Sequence, residues 1–200
     1  MAITHLIFDL SEVIIRGLVD IDDALGELLG IKSDTLLHTF GGGDLEALCK
    51  NEIAEDDYLK KIITKEKWHC SLIELKKIIR NNFHVMIGNM NELIEKLSGK
   101  YTLVLLSDHA REWIEYIEEY HRFLHNFAVR MYSFETGHLK SETYNFQKLL
   151  TDLNISSDSC LFIDDNKENI AVANRCGIKG ILFKDQDQLI NALRESGVVI

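Results

Sequence analysis

Proline is absent from this chain of 200 residues, although a protein of its length would contain roughly ten at the usual frequency of about 5%. The absence excludes the slow cis–trans isomerisation of X–Pro bonds as a folding step. Cysteine is also scarce, and no two of the four cysteines have CxxC spacing. Isolated cysteines are typical of reduced thiols, so the sequence predicts a cytoplasmic protein without a disulfide framework.

Positive charge and long apolar runs are sparse as well. The chain has 22 Lys and Arg residues against 32 Asp and Glu residues, a net charge of −10, and no basic run exceeds two lysines. Nucleic-acid affinity depends on neutralising phosphates, so no nucleic-acid partner is expected. No apolar run approaches the roughly 20 residues that cross a bilayer, and no secretion signal is evident, so no membrane association is expected.

Apolar segments of strand length occur near the N-terminus and again in the second half of the chain. Residues 3–8 form a short run of the kind that is buried on both faces of a parallel sheet. Similar runs at 101–106, 127–132, 159–163 and 178–183 alternate with helical periodicity. This alternation predicts an α/β fold with a Rossmann-like, doubly wound parallel sheet of about five strands.

Residues 17–86 show helical periodicity alone, without a strand pattern. Helix starts are predicted at acidic or hydroxyl residues: Asp20 to Asp23, Ser33 with Asp34, Asp44, Glu55 to Asp57 and Ser71 here, and Ser141 in the second half. The sequence therefore predicts a Rossmann-like core of residues 1–16 and 87–200. Residues 17–86 are predicted to be a helical cap inserted after the first strand.

Polar side chains follow three of the predicted strands at the point where each strand ends. They are Asp9, Ser107 and the pair Asp164-Asp165. The carboxyl ends of parallel strands share one edge of the sheet, where ligands bind in open α/β folds. Capping of a turn is the structural alternative at any one of these ends. All three together favour a functional site, and their oxygen atoms are ligands that suit Mg²⁺.

Lys140 precedes a predicted helix and can reach the same edge of the sheet. A carboxylate nucleophile, a hydroxyl donor, a lysine and a metal-binding carboxylate pair together form a phosphoryl-transfer site. The lysine and the metal are needed because Asp9 alone would repel a phosphate. The sequence thus indicates an enzyme whose partner is a small phosphorylated molecule.

The order of these motifs resembles that of the haloacid dehalogenase superfamily. The resemblance rests on Phe8-Asp9-Leu10-Ser11-Glu12-Val13, Leu105-Leu106-Ser107, Lys140, and Phe162-Ile163-Asp164-Asp165 with Asn169. It covers nearly the whole chain, and the inserted helices are similar to the small helical cap of that superfamily. The most similar branch holds the bacterial sugar-1-phosphatases and the N-terminal phosphatase domain of soluble epoxide hydrolases.

The resemblance implies a magnesium-dependent phosphatase that hydrolyses a small phosphorylated metabolite, by resemblance a sugar phosphate. Asp9 would be the nucleophile that forms an aspartyl-phosphate, with Ser107 and Lys140 as the other catalytic residues. The implied substrate-binding residues are Ser107, Asp108, Lys140 and Asn169. The implied Mg²⁺ ligands are Asp9, the carbonyl of Ser11, Asp165, and Asp164 either directly or through water.

The chain departs from the family pattern at four positions. Ser11 stands where most phosphatases of the superfamily carry an Asp as general acid and base. Glu12 replaces a glycine, Asp108 an asparagine and Ser141 a proline. Two alternatives therefore stay open: a catalytically impaired relative that binds a phosphorylated ligand or a protein partner, and a dehalogenase that uses Asp9 on a carbon centre. The Asp164-Asp165 pair speaks against the dehalogenase, because displacement at carbon needs no metal.

Overall fold

Five parallel strands form the centre of the computed structural model, which describes residues 2–31 and 36–200. The strands are β1 (His5–Phe8), β2 (Thr102–Ser107), β3 (Val129–Tyr132), β4 (Cys160–Asp164) and β5 (Lys179–Leu182). They lie in the order β3-β2-β1-β4-β5, so the chain builds outward from β1 in both directions. The predicted α/β fold with a doubly wound parallel sheet is confirmed.

Helices connect these strands, and one further helix follows the last strand. Within the described residues the α-helices are α1 (Asp22–Leu29), α2 (Gly43–Cys49), α3 (Glu55–Glu66), α4 (Leu72–Phe83), α5 (Met90–Ser98), α6 (Arg111–Tyr120), α7 (Ser133–Thr136), α8 (Tyr144–Leu153), α9 (Lys167–Arg175) and α10 (Gln186–Glu195). Short 3₁₀ helices span Leu36–Phe40, Arg122–Asn126 and Ser157–Ser159. None of the helices in these ranges is long and apolar enough to cross a membrane.

The central strand β1 is apolar throughout because both of its faces are covered. Leu6 and Phe8 pack into the larger hydrophobic core, whereas Ile7 packs into a second core on the opposite face of the sheet. The register places Phe8 beside Leu105 of β2 and Ile163 of β4. The residue after Phe8 therefore emerges in the middle of the carboxyl edge.

Helices α1 to α4 lie between β1 and α5 in the chain and pack against one another through apolar faces. Leu25, Tyr58 and Ile79 of these helices belong to the same buried cluster as Phe8 of β1. The inserted helices thus share one hydrophobic core with one face of the sheet. The division into a core of 1–16 and 87–200 and a cap of 17–86 stays a proposal.

The predicted helix starts have mixed outcomes. Ser71 caps α4 as predicted, since its Oγ accepts a hydrogen bond from Glu74 N at 3.2 Å and the Glu74 carboxylate accepts one from Ser71 N at 2.8 Å. The prediction for Asp44 is wrong, because Gly42 takes the N-cap position with a φ of 85°, two residues before Asp44, and α2 begins at Gly43. The prediction for Ser33 and Asp34 lies outside the described residues.

Ser141 is likewise not the cap of α8, which begins at Tyr144 after Thr143. The loop before this helix is longer than predicted because side chains hold it from both ends. Lys140 N donates to the Asp108 carboxylate, and Leu139 N donates to Glu142 Oε1 at 3.3 Å. The sequence pattern did not indicate these contacts.

Candidate active site

Asp9 lies directly after β1, at the carboxyl edge of the sheet. Its backbone N–H donates to the carbonyl of Ile163 at 2.9 Å, so the pairing with β4 continues to the aspartate itself. One carboxylate oxygen, Oδ1, accepts a hydrogen bond from Leu10 N at 2.7 Å. The residue is only 7% exposed. The strand end therefore holds a nearly buried carboxylate in a fixed orientation.

Lys140 contacts Asp9 from the loop before α8. Its Nζ is 2.6 Å from Asp9 Oδ2 and 2.7 Å from Asp164 Oδ2. Burial alone would lower the pKa of this ammonium, but Asp9 and Asp164 outweigh burial and raise the pKa of Lys140 above its ordinary value. Lys140 is therefore a constant positive charge between the ends of β1 and β4.

Asp108 fixes the loop that carries Lys140. Its two carboxylate oxygens accept the backbone N–H of Lys140 at 3.1 and 3.0 Å. Burial raises the pKa of Asp108, and Lys140 opposes this effect. Asp108 thus positions Lys140, and its predicted contact with a substrate stays a prediction.

Asp164 and Asp165 end β4 in different environments. Asp164 is fully buried, and its carboxylate accepts hydrogen bonds from Asn166 N at 2.8 Å and from Nδ2 of Asn169 at 3.2 Å, in addition to the contact with Lys140. Asp165 is exposed. Asn169 therefore steadies Asp164 from α9, while Asp165 is the more accessible carboxylate of the pair.

Asp9, Asp164 and Asp165 bring carboxylate oxygens within 4.8 Å of one another. Burial raises the pKa of Asp9 and of Asp165, and Asp164 raises both further, while Lys140 opposes the rise. One ammonium for three carboxylates leaves surplus negative charge, which a divalent cation offsets. An all-oxygen set of ligands is the kind that Mg²⁺ prefers, so these residues fit that ion.

Ser107 ends β2 at the same edge of the sheet. Its Oγ is buried and has no hydrogen-bond partner in the part of the chain that the structure describes. Buried hydroxyls in folded proteins are nearly always paired, so an unpaired one at a strand end marks a place for a ligand. A phosphoryl oxygen is an acceptor of the kind that this hydroxyl lacks.

His109 is a site residue that sequence reasoning missed. Its Nε2 is 3.2 Å from Ser11 Oγ, and its backbone N–H donates to Ser133 Oγ at 3.0 Å. Burial lowers the pKa of His109 to about 3, so the imidazole is uncharged at neutral pH. Its position two residues after Ser107 was the one available signal, and a single histidine has no spacing pattern that would identify it.

Glu12 connects the segment that follows β1 to residues 16–19, which precede α1. Its φ of 59° is left-handed, a conformation that glycine adopts more readily. Its carboxylate accepts the N–H groups of Gly17 at 2.7 Å and Val19 at 3.2 Å and pairs with Arg16 at 2.9 Å. Asn82 of α4 donates to the carbonyls of Gly17 and Val19 at 2.7 and 2.8 Å. Glu12 thereby holds residues 16–19 next to the site.

A pocket of about 230 Å³ opens next to Ser11 and Asp108. Its lining comes from the segment 17–19 and from helices α2, α4 and α6, in addition to residues that follow the ends of β1 and β2. The polar residues of the lining are direct sequence neighbours of Asp9 and Ser107, or lie within three residues of them. A ligand held at Asp9 therefore has this space beside it.

The residues predicted from the sequence meet at one edge of the sheet. Lys140 contacts both Asp9 and Asp164, and Asp165 has a carboxylate oxygen within 4.8 Å of an oxygen of each of these aspartates. Asp108 and Asn169 hold Lys140 and Asp164 in place, while Ser11 turns its hydroxyl to His109. The chemical roles predicted for these residues stay predictions.

Residues 21–183 match the family described as haloacid dehalogenase-like hydrolase. The matched range contains Ser107, Lys140 and Asp164-Asp165 but begins after Asp9, so the match does not bear on the role predicted for Asp9. Flavin mononucleotide hydrolase 1 of Arabidopsis thaliana, a chloroplast protein, is 22% identical over 159 residues, which are 75% of this chain and 64% of the relative. The match thus spans less than two thirds of that relative's length.

Solved structures share the fold. A haloacid dehalogenase family enzyme of Bacteroides thetaiotaomicron, solved as a magnesium complex, has a TM-score of 0.78 at 19% identity and covers 97% of this chain and 100% of that chain. Its complex with magnesium and inorganic phosphate has a TM-score of 0.71 at 20% identity, with coverage of 92% and 96%. A dehalogenase with an intermediate complex has a TM-score of 0.71 at 14% identity, with coverage of 90% and 84%. Identities this low show the fold alone.

Proposed function

The chain belongs to the haloacid dehalogenase-like hydrolases, and from this premise we propose that it is a magnesium-dependent phosphatase acting on a small phosphorylated molecule. The observation that carries the proposal is the buried contact of Lys140 with Asp9 and Asp164, with the exposed Asp165 beside them. A carboxylate that is held by an ammonium next to a cation-binding pair is arranged to receive a phosphoryl group.

Asp9 supplies the attacking oxygen in this proposal. Leu10 N and Lys140 Nζ each hold one of its carboxylate oxygens, so the attacking group is oriented before the substrate arrives. Attack on phosphorus forms an aspartyl-phosphate and releases the leaving group, and water then attacks phosphorus and regenerates the carboxylate. Lys140 and the unpaired hydroxyl of Ser107 bind the phosphoryl oxygens.

Asp9, Asp165 and the carbonyl of Ser11 are the proposed Mg²⁺ ligands. Asp164 is already engaged by Lys140 and Asn169, so we assign direct ligation to Asp165 rather than to Asp164. When bound, Mg²⁺ supplies positive charge that offsets the phosphate and the carboxylates. The Bacteroides enzyme of similar fold, which was solved with magnesium and inorganic phosphate, supports the choice of the metal but not the choice between the two aspartates.

The substrate class that we propose is a phosphate monoester. The Arabidopsis relative is named for flavin mononucleotide, which is such an ester, and this supports the class without identifying the leaving group. The sugar phosphate predicted from the sequence, and the sugar-phosphatase branch with it, stay predictions. The lining of the pocket bears on the leaving group directly.

A relative that binds phosphate without turnover is the second candidate. Ser11 and the uncharged His109 favour it, because neither group readily gives a proton to a leaving alkoxide. A dehalogenase shares the fold, but the carboxylate pair Asp164-Asp165 has no use in displacement at carbon. We therefore place the dehalogenase behind the other two.

A hydrolysis screen tests the proposal. We expect phosphate release from at least one class of monoester in the presence of Mg²⁺, and none after chelation or in Asp9→Asn. The matched control is Asp158→Asn, which changes an exposed aspartate at the other end of β4 and should keep full activity. Vanadate binding without any phosphate release would favour the second candidate, and chloride release from a 2-chloro acid would favour the dehalogenase.

A further inference from the structure

Three buried rings form one wall of the 230 Å³ pocket. The ring centroids of Phe83, His109 and Trp113 lie 5.5 to 5.7 Å apart in each pair. The Nε1 of Trp113 donates to Glu55 Oε1 at 2.7 Å, outside the pocket lining, so the indole offers carbon surface rather than a hydrogen-bond donor. This wall is suited to contact with another flat apolar group.

The rest of the lining continues the same chemistry. Apolar side chains from the cap entry and from α2 complete it, namely Leu18, Val19 and Leu45. With the three rings they supply most of the apolar surface that lines the space. A leaving group in this space would be buried mainly against carbon.

Most polar groups of the lining are already paired, and the exception is the buried Nδ1 of His109, a single ring nitrogen without a partner in the described part of the chain. Glu12 accepts the N–H groups of Gly17 and Val19, Asp108 accepts that of Lys140, and the Ser11 hydroxyl is in contact with His109. A leaving group with many hydroxyls would have to break these hydrogen bonds or remain unpaired against carbon. The lining therefore disfavours a sugar.

Charge and size restrict the leaving group further. Among residues 2–31 and 36–200 no lysine or arginine lines the pocket, whereas Glu12 and Asp108 both do, so a second anionic group on the ligand would be repelled. The volume of about 230 Å³ is below the range of roughly 300–1,000 Å³ that is usual for ligand pockets. One ring fits this space better than the three fused rings of a flavin.

We propose that this pocket binds the leaving group and that the leaving group is a single uncharged aromatic ring, which makes the substrate an aryl phosphate monoester; this rests on the proposed phosphatase function. A bond forms between a carboxylate oxygen of Asp9 and phosphorus while the bond from phosphorus to the aryl oxygen breaks, and the phenolate leaves with the electron pair. Water then attacks phosphorus, and the bond between phosphorus and the Asp9 oxygen breaks. One proton of the water ends on the phosphate and the other on the phenolate.

The chemistry at Ser11 points to the same leaving group by a separate route. A serine hydroxyl is too weak an acid to protonate a departing alkoxide efficiently at neutral pH. A phenolate departs without a proton far more readily than an alkoxide does. The acidic residue of the family pattern that this chain lacks at position 11 is therefore the group that an aryl ester needs least.

A binding experiment tests the pocket without depending on turnover. Benzylphosphonate carries a ring on a bond that cannot be hydrolysed, and methylphosphonate is the matched probe without the ring. In the presence of Mg²⁺ we expect benzylphosphonate to bind at least about tenfold more tightly, because burial of a phenyl ring is worth about that much. Equal affinities for the two phosphonates would overturn the proposal.

A pair of variants locates the ring. Leu45→Ala removes apolar surface from the pocket, and Leu29→Ala makes the same change in another partly buried cap residue that does not line it. We expect Leu45→Ala to reduce the preference for benzylphosphonate severalfold without changing methylphosphonate affinity, and Leu29→Ala to leave both unchanged. An unchanged preference in Leu45→Ala would show that the ring binds elsewhere.

Turnover separates this proposal from the function on which it rests. We expect kcat/KM for phenyl phosphate to exceed that for glucose 1-phosphate, for flavin mononucleotide and for 4-carboxyphenyl phosphate. A preference for either of the first two competitors, or indifference to the added carboxylate, would overturn the aryl proposal while the phosphatase stands. Tight binding of benzylphosphonate without hydrolysis of any ester would retain the pocket's ring preference and overturn the phosphatase.

Discussion

Proton donation is the step for which the residues around Asp9 are least equipped. The Ser11 hydroxyl lies 3.2 Å from Nε2 of His109. Burial lowers the pKa of His109 to about 3, so its imidazole is uncharged at neutral pH and is a poor proton donor. General acid catalysis is typically worth about 10²- to 10⁴-fold. We therefore expect the wild-type protein to hydrolyse 4-nitrophenyl phosphate much faster than a primary alkyl phosphate, since nitrophenolate leaves unprotonated.

Ser11→Asp should narrow this gap by speeding the alkyl ester more than the aryl ester. The control is Ser11→Asn, which has nearly the same size as the aspartate and no acidic proton. The measurement is kcat for both esters at saturating Mg²⁺, because a carboxylate beside Asp9 and Glu12 weakens substrate binding by repulsion. An equal response of the two esters to Ser11→Asp would mean that another group is the acid.

The sequence was sufficient to predict the site residues that lie at the ends of strands. Asp9, Ser107 and Asp164 each follow a buried apolar run, and parallel strands bring such positions to one edge. The hydrogen bond that positions the Lys140 backbone was not predictable, because its acceptor is Asp108, which lies 32 residues away in the chain. His109 was missed for the same reason: burial and side-chain direction, rather than sequence spacing, bring it to Ser11.

At the scale of elements, one buried carboxylate joins helices α3 and α4 to helix α6. Glu55 begins α3 and is 1% exposed. It forms ion pairs with Arg80 of α4 and with Lys76 at 3.0 Å, and it accepts a hydrogen bond from Trp113 of α6 at 2.7 Å. Its backbone N–H donates to Glu112 of α6 at 3.1 Å. Loss of this carboxylate would therefore weaken the packing of α3 against α4 and α6.

Glu55→Gln should lower the free energy of unfolding by about 3 kcal/mol, because it leaves Arg80 and Lys76 without their buried partner. The control is Glu66→Gln on the same helix, which removes an exposed pair with Lys65 at 3.5 Å and should cost no more than about 1 kcal/mol. Urea unfolding of the three proteins at pH 7 measures both effects. Equal destabilisation by the two variants would contradict the proposed importance of the buried pair.

The contribution of Glu55 should also depend on pH. Burial alone would raise the pKa of this carboxyl, but hydrogen bonds from Arg80, Lys76 and Trp113 outweigh burial and lower it. A depressed folded-state pKa gives stability that is complete above the unfolded value of about 4.3 and is lost as pH falls through the folded value. The difference in unfolding free energy between wild type and Glu55→Gln should therefore shrink below about pH 4. A difference that grows on acidification would reverse the assigned direction.

For the whole molecule, the alternation of strands and helices was sufficient to predict the fold. The apolar runs of β1 and β4 are buried on both faces, so each could be recognised as a strand from its own sequence, without knowledge of the strands beside it. Helix boundaries such as that of α8 could not be predicted, because contacts from distant parts of the chain extend the loop before it. The packing of the inserted helices into the core beside Phe8 likewise depends on tertiary contacts that periodicity does not describe.

Metal binding should stabilise the folded chain as a whole. A ligand that binds the folded state alone contributes about 1.4 kcal/mol at ten times its dissociation constant, which for a chain of this size raises Tm by about 3–6 °C. We expect Mg²⁺ to produce such a shift in the wild type and none in Asp165→Ala. The exposed Asp158 serves as the control, and Asp158→Ala should keep the full shift. An undiminished shift in Asp165→Ala would place the metal elsewhere.

The most direct test of the account is whether Asp9 becomes phosphorylated during turnover. The wild-type protein is mixed with phenyl phosphate and Mg²⁺, quenched in acid within one turnover, and digested for mass spectrometry. We expect one phosphoryl group on the peptide that contains Asp9, and in Asp9→Asn no phosphoryl group and a kcat lower by roughly 10⁴-fold or more. A phosphoryl group on another residue, or full turnover by Asp9→Asn, would contradict the account.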